Sequence, residues 1–357
     1  MVFLVYMRFR RSCHYKFRCC QIRSFHLFTI LIMKLILKII VFIIFVLSLQ
    51  FILFKPTPNS SIFQTDKTDA ILKEKPDVIL LGDSVVRVAD EKDDDKRPID
   101  MMVQEKIPNL NVKAIHNLAY NSDVYLDYIK YITKDNYKPK LVIILINLRS
   151  FSPDWDQKPG YQFEREKLTL RYKNTPLFPY LKFLINVNVF NLVPITQTQY
   201  ENTPVYSGSE LIGTIKDFEN DEYATFTESN QKNRILLYYT YPLSANHRKL
   251  KTLEEIAGLL KKNNIKAIFY ITPIDYETIG KYTGFYTKDR ITQNINLIKN
   301  SLSKYPLVFL DLSFKLQAKE FGWKDSIYIN EHLNQYGRQF VAQELAASVI
   351  DLLKKNK

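Results

Sequence analysis

Apolar residues fall along this chain in three patterns. The first is one long run, Leu35–Phe54 (LILKIIVFIIFVLSLQFILF), about 20 residues, the length a helix needs to cross a bilayer core. The second is a set of short blocks at Val78–Leu81, Val112–Leu118, Leu141–Asn147, Ala267–Thr272 and Val308–Leu312. These are largely apolar rather than alternating, which predicts strands of a parallel sheet covered on both faces. The third is apolar recurrence at helical spacing near 122–134, 249–263, 289–303 and 335–354. Thr287 and Asp289 give the third of these helices a start signal. Asn334 precedes the last, which keeps an apolar stripe through Phe340, Val341, Leu345, Ile350 and Leu353. Alternation of strand and helix predicts an α/β layered domain.

Two stretches break that rhythm. Lys55 to about Glu74 holds Pro56, Pro58 and several Ser, Thr and Asp, and reads as a linker leaving the long apolar run. Residues 150 to about 245 separate the third and fourth strands and are rich in Tyr, Asn, Thr and Pro. A structureless loop of that length is improbable, so it is expected to be an inserted, largely helical cap subdomain, with Leu177–Val193 and Asn230–Tyr241 as helices. The mixed charges of Asp90–Arg97 read as a solvated loop.

Charge sharpens the picture at the N-terminus. The chain has 357 residues and a net charge of +13, yet residues 1–57 contain nine Lys or Arg and no Asp or Glu. The remainder carries 41 basic and 37 acidic residues, a balance that gives no support to nucleic-acid binding. Basic residues cluster before the apolar run, which by the positive-inside tendency predicts a single-pass signal-anchor: N-terminus in the cytoplasm (1–34), spanning helix at 35–54, and the domain from about 75 onward outside the cytoplasmic membrane. A cleaved signal peptide is the rival reading, but the run is long for one and no small-x-small site follows it. Met33-Lys34-Leu35 would itself make an ordinary start, so nothing rests on residues 1–32. All three cysteines (Cys13, Cys19, Cys20) precede the apolar run, which leaves the domain without a disulfide framework or a Cys-based zinc site. No His/Asp cluster stands at ligand spacing, and no cofactor is expected.

Candidate chemistry collects at the predicted strand ends, where open α/β sheets bind ligands. Ser84 follows the first strand in Gly82-Asp83-Ser84; Asn117 to Asp123 follows the second; Asn147-Leu148-Arg149-Ser150 follows the third; His332 lies ahead of the last helix. A hydroxyl with a distant imidazole is the minimum for nucleophilic acyl chemistry, because the hydroxyl is weak until a base takes its proton. Each has an ordinary reading as well: Gly-Asp-Ser is a common tripeptide, and a histidine before a helix is usually a cap or surface residue. His116 reads as a core strand residue and His247 as surface. Arg149 is either a contact for an acidic substrate or one arm of an exposed salt bridge. Trp155, Tyr161 and Tyr172 are either packing residues or the wall of a carbohydrate or acyl pocket.

With these residues in view, the chain resembles the SGNH (GDSL-like) hydrolase superfamily over roughly residues 76–148 and 265–354. The resemblance implies a three-layer flavodoxin-like parallel sheet carrying esterase or acyl-transfer chemistry. Gly82-Asp83-Ser84 is similar to the first block, whose serine is the nucleophile; Asn147 falls at the third block's oxyanion-binding asparagine; His332-Leu333-Asn334 with Gly337 is similar to the last block, whose histidine is the base. The second-block glycine is missing, and Ser122 is its nearest equivalent, with a backbone N–H that could serve the oxyanion. The third block's glycine is replaced by Leu145. The aspartate usual three residues before the histidine is replaced by Ile329; the polar neighbours are Asn330, Glu331 and Asp325, with Asp325 as the candidate acid and Asn330 as an uncharged alternative. The expectation is a membrane-anchored serine esterase or O-acyltransferase working through an acyl-serine. Its implied substrate is an acylated carbohydrate or lipid, with cell-envelope polysaccharide foremost, and a multi-spanning membrane acyltransferase is an implied partner. Two alternatives stay open: a degenerate domain that binds envelope glycan or that partner without turnover, and a lysophospholipase with an apolar groove formed by the insert.

Overall fold

The computed structural model describes residues 31–48, 61–134, 137–172, 194–207, 210–218, 228–284, 286–322 and 331–354. They fall into two compact units, Met1–Ser60 and Ser61–Lys357. In the first, Leu31–Ser48 forms a helix (α1) long and apolar enough to cross a membrane, and none of its residues is buried. It starts ahead of the expected span, and residues 49–54 of that span lie outside the described residues.

The second unit is built on a five-stranded sheet. Its strands are β1 (Val78–Gly82), β2 (Val112–His116), β3 (Leu141–Ile146), β6 (Lys266–Ile271) and β7 (Val308–Asp311), in the order β2-β1-β3-β6-β7 and all parallel. Counting only these five strands, that is the flavodoxin-like order 2-1-3-4-5, the fold the family resemblance implies. In chain order the helices are α2 (Ser61–Lys73), α3 (Ser84–Arg87), α4 (Ile99–Lys106), α5 (Ser122–Ile132), α6 (Pro153–Gln157), α7 (Glu164–Tyr172), α8 (Gln197–Glu201), α9 (Ile215–Phe218), α10 (Glu228–Tyr239), α11 (Arg248–Lys262), α12 (Tyr276–Thr283), α13 (Tyr286–Leu302) and α14 (Gln335–Lys354).

Successive strand side chains point to opposite faces, and both faces here are apolar. Val78 and Leu80 of β1, Leu141, Ile143 and Leu145 of β3, and Ile268 and Tyr270 of β6 pack with Ile99 and Met102 of α4 and Val341, Leu345 and Val349 of α14. The intervening residues Ile79, Leu81, Val142, Ile144, Ile146, Phe269 and Ile271 pack with Val124 and Tyr128 of α5, Leu253 and Ile256 of α11, and Ile295 and Ile298 of α13. This double coverage explains why the strands read as solid apolar blocks.

Three expectations change in the structure. The stretch read as linker becomes helix α2 from Ser61, because Leu72 buries into the core and Asp69 accepts a hydrogen bond from the Tyr131 hydroxyl at 2.7 Å. The insert contains helices, but also an antiparallel pair, β4 (Pro204–Ser207) and β5 (Glu210–Thr214), too short for an alternating pattern to show. A separate small core of Tyr200, Val205, Ile215 and Leu237 holds that part. The expected helix Leu177–Val193 lies outside the described residues, while the expected helix Asn230–Tyr241 appears as α10, Glu228–Tyr239. The insert is tied down by buried polar contacts: Glu166 of α7 accepts from the Tyr120 and Tyr128 hydroxyls, and Asp156 of α6 pairs with Arg248 at 2.7 Å and Lys249 at 3.3 Å.

The third change concerns Asp90–Arg97, which is pinned rather than merely solvated. Arg338 of α14 is fully buried and donates to Asp93 Oδ2 at 2.8 Å, to the Leu333 carbonyl at 2.9 Å and to the Arg97 carbonyl at 3.2 Å, with a further bond to the Asp95 carbonyl. A guanidinium taken out of water needs this full set of acceptors. The same helix start is close-packed: a Cβ on Gly337 would lie 2.5 Å from the Glu320 carbonyl oxygen, so only glycine admits that approach. Arg338→Met leaves the buried Asp93 carboxylate without its cation and should destabilise the protein by about 3–5 kcal/mol, read as a fall in denaturation midpoint of the full-length chain.

Candidate active site

Ser84 stands where β1 ends, as the first residue of α3. Asp83 makes that turn possible: its Oδ1 accepts from the Val85 N–H at 2.9 Å and so caps the helix. Gly82 matters here too, since a Cβ at that position would collide with the Val86 side chain. His332 sits ahead of α14 on a segment held against residues 320–322. Phe321 and Leu333 form an antiparallel bridge, Gly322 N–H donates to the His332 carbonyl at 2.9 Å, and Asn334 N–H donates to the Glu320 carbonyl at 3.1 Å.

These two segments meet. His332 Nε2 lies 3.2 Å from Ser84 Oγ, a hydrogen bond between residues 248 positions apart, and both side chains are buried. Burial, aided by the nearby Arg149 charge and opposed by Asp83, pushes the His332 imidazole down to about 4. The ring is therefore neutral at ordinary pH and able to accept a proton.

Behind this pair lies a buried polar network. Asn147, at the end of β3, donates through Nδ2 to Asp83 Oδ2 at 2.9 Å and to Glu331 Oε2 at 3.0 Å, while its Oδ1 accepts from Arg149 N–H at 3.0 Å. Arg149 forms an ion pair with Glu331, both buried, and its guanidinium lies 3.7 Å from the Trp155 ring centre. Burial and then the Glu331 charge push the Asp83 carboxyl up to about 6, against the bonds from Asn147 and Val85. Burial likewise raises Glu331, with Arg149 and Asn147 opposing it.

Ser84 and His332 open onto a cavity of about 500 Å³, within the range of small-molecule sites. Its other walls are Val88, Asn117, Leu118, Ala119 and Arg149, with Trp155, Gly160, Tyr161 and Phe163 from the insert. Trp155 and Tyr161 thus line it as the sequence suggested, and the ring centres stand 4.6 Å apart; Tyr172 does not. Two residues on the walls, Ala119 (φ 60°) and Phe163 (φ 50°), hold a left-handed backbone, uncommon for residues other than glycine. At Ala119 this follows the turn closed by Tyr120 N–H on the Asn117 carbonyl, 3.4 Å, and by Leu118 N–H on Asn117 Oδ1, 2.9 Å.

The structure does not bring the two expected oxyanion donors to this cavity. Ser122 and Asn147 line a separate narrow cleft with Tyr120, Asn121 and Ser150. Both Nδ2 hydrogens of Asn147 are taken by carboxylates, so its amide serves the network rather than an oxyanion. Ser122 begins α5, and its Oγ has no hydrogen-bond partner among the described residues. Asp325 and Asn330 lie outside the described residues. Arg149 is a buried ion pair instead of an exposed one. His116 is half-buried at the end of β2, and burial pushes it down to about 4. His247, expected at the surface, caps α11 by accepting from Lys249 N–H at 3.2 Å and is largely covered. Residues given no role from the sequence are Asn117 and Ala119, which face the cavity from the strand-end segment already singled out, and Glu331, noted only as a polar neighbour of the histidine. A left-handed alanine leaves no mark in a sequence, and a glutamate beside a histidine is indistinguishable from a surface residue.

No protein-family model matches this sequence, and no curated protein matches it significantly. Among solved structures, the chain is similar to an acetylxylan esterase from Geobacillus stearothermophilus, at 11% identity and a TM-score of 0.38, covering 77% of this chain and 94% of that one. It is also similar to a GDSL-like lipase from Bacteroides thetaiotaomicron, at 10% identity and a TM-score of 0.38, covering 83% of this chain and 99% of that one. Similarity at this level assigns no activity; the strand order and the geometry at Ser84 stand independently of it.

The depressed imidazole sets the expected pH response. A base reacts when neutral, and lowering its pKa extends the neutral form to lower pH. Labelling of Ser84 by a fluorophosphonate should therefore persist well below the ordinary imidazole range of about 6.5, with its acid limb near the His332 value of about 4. Labelling rates measured between about pH 4 and 8 check this; a midpoint at 6.5 would contradict the environment described.

Proposed function

We propose that this chain is an SGNH-type serine ester hydrolase or O-acyltransferase, anchored in a membrane by its N-terminal helix and acting on ester-linked acyl groups. The observation that carries this reading is the 3.2 Å approach of His332 Nε2 to Ser84 Oγ at the mouth of a cavity on a flavodoxin-like sheet. His332 takes the Ser84 proton as Oγ bonds to the ester carbonyl carbon. The tetrahedral intermediate collapses to an acyl-serine as the carbon–oxygen bond to the leaving alcohol breaks and His332 returns the proton to it. Water or an acceptor hydroxyl, deprotonated by the same imidazole, then attacks the acyl-serine and frees Ser84.

The oxyanion needs donors aimed at charge that exists only in the transition state. We assign this part to the Ala119 N–H, which has no acceptor among the described residues, and to the Asn117 carboxamide, whose oxygen is held by Leu118 N–H and whose nitrogen remains to donate. Both belong to the cavity wall. The aromatic side supplied by Trp155, Tyr161 and Phe163 suits an acylated sugar, consistent with an envelope polysaccharide outside the cytoplasmic membrane, and a multi-spanning acyltransferase would be its source or sink of acyl groups. The basic N-terminus and α1 support that placement.

A second reading, a lysophospholipase, is favoured by one feature: the apolar side of the cavity is partly formed by the insert, with exposed Leu118 at its edge. A chain-length series of p-nitrophenyl esters separates the two, with acetate preferred by the first and long-chain esters by the second.

Full-length wild-type protein should release nitrophenol from p-nitrophenyl acetate. Ser84→Ala and His332→Ala should each reduce that release by about 10³-fold or more, toward background. Equal rates in wild type and Ser84→Ala would remove esterase activity from consideration.

A further inference from the structure

We propose that Glu331 is a positioning residue for the Ser84–His332 pair. It immediately precedes the base, just as Asp83 immediately precedes the nucleophile, and the two carboxylates share one donor, Asn147 Nδ2, at 3.0 and 2.9 Å. The backbones on either side of the reacting atoms are thereby tied to a single point at the end of β3. This inference rests on the esterase reading above and deepens it.

Charge gives Glu331 a second task. Arg149 lines the cavity, buried and stacked on Trp155, and its positive charge opposes formation of the imidazolium that His332 becomes during catalysis. Glu331 pairs with that guanidinium and compensates it. Among the described residues, the other groups facing this region are Asp83 after β1 and the phenols of Tyr125 on α5, Tyr238 and Tyr239 on α10 and Tyr270 on β6; burial holds the phenols of Tyr125, Tyr239 and Tyr270 well above their usual range. Burying a carboxylate and a guanidinium is seldom stabilising compared with apolar packing. A pair placed one residue from the base and on the cavity wall serves the site better than it serves the fold.

The test uses full-length wild type, Glu331→Gln, Arg149→Met and the double variant, followed by fluorophosphonate labelling rates at Ser84 in short pulses across about pH 2.5 to 9, a window that includes the acid limb, and by thermal melts. Glu331→Gln should label at least tenfold more slowly, toward the ~10²-fold that a 1 Å misplacement brings, and its acid limb should move to lower pH because Arg149 is uncompensated. The double variant should label faster than Glu331→Gln, since removing both charges restores the balance. Wild-type labelling and an unmoved acid limb in Glu331→Gln would overturn the proposal, as would a double variant no faster than the single one. If Glu331→Gln melts below the assay temperature, Glu331→Asp replaces it: slower labelling with a wild-type acid limb supports positioning, and wild-type labelling overturns it. An unlabelled wild type fails differently, overturning the nucleophile assignment and this inference with it.

Discussion

A hydrogen bond between two side chains 248 positions apart, Ser84 and His332, depends on one constraint: β1 and the segment ahead of α14 must end at the same rim of the sheet. In a parallel sheet every strand runs the same way, so every strand's carboxyl end lies on one edge. β1 is flanked by β2 and β3, which delivers the Asn117–Ala119 turn and Asn147 to either side of Ser84. The cavity is thus a product of strand direction before it is a product of any particular residue.

The polar network beneath the site follows from the same edge. Strand ends leave polar backbone and side chains pointing out of an apolar core, and these must find partners where water is scarce. Asn147 meets that need for Asp83 and Glu331 at once, and Arg149 balances their charge. A comparable economy operates at the start of α14. Arg338 satisfies the Leu333 carbonyl and three groups of the 93–97 loop, and Gly337 allows the contact with residue 320 that supports the histidine segment. His332 is therefore flanked by close packing at the start of α14 and by a buried ion pair at its neighbour Glu331.

The insert helps wall the cavity and shares the main core in part, through Phe151, Leu170, Ile235, Tyr239 and Tyr241. Its far part has a small apolar cluster of its own, while its near part is fastened through Glu166 and Asp156 to α5 and α11. That fastening lets a segment of irregular structure present Trp155, Tyr161 and Phe163 as a fixed wall. Loops positioned by a rigid scaffold commonly carry specificity in this way.

What the sequence by itself determined is what depends on neighbours along the chain. Solid apolar blocks marked all five parallel strands, helical spacing marked α5, α11, α13 and α14, and the long apolar run marked α1. Gly82-Asp83-Ser84 and His332 were legible because each sits at the end of such an element. Tertiary structure alone decided which of the strand-end residues meet. Asn147 looked like an oxyanion donor and became a bridge between carboxylates; Arg149 read either as a substrate contact or as an exposed salt bridge, and is a cavity-lining residue buried against Glu331; Ala119 showed nothing until its turn placed it on the cavity wall. The reason is physical: periodicity reports which face of an element is covered, whereas the partner of a buried charge or amide is set by strand order and by the crossing of segments hundreds of residues apart.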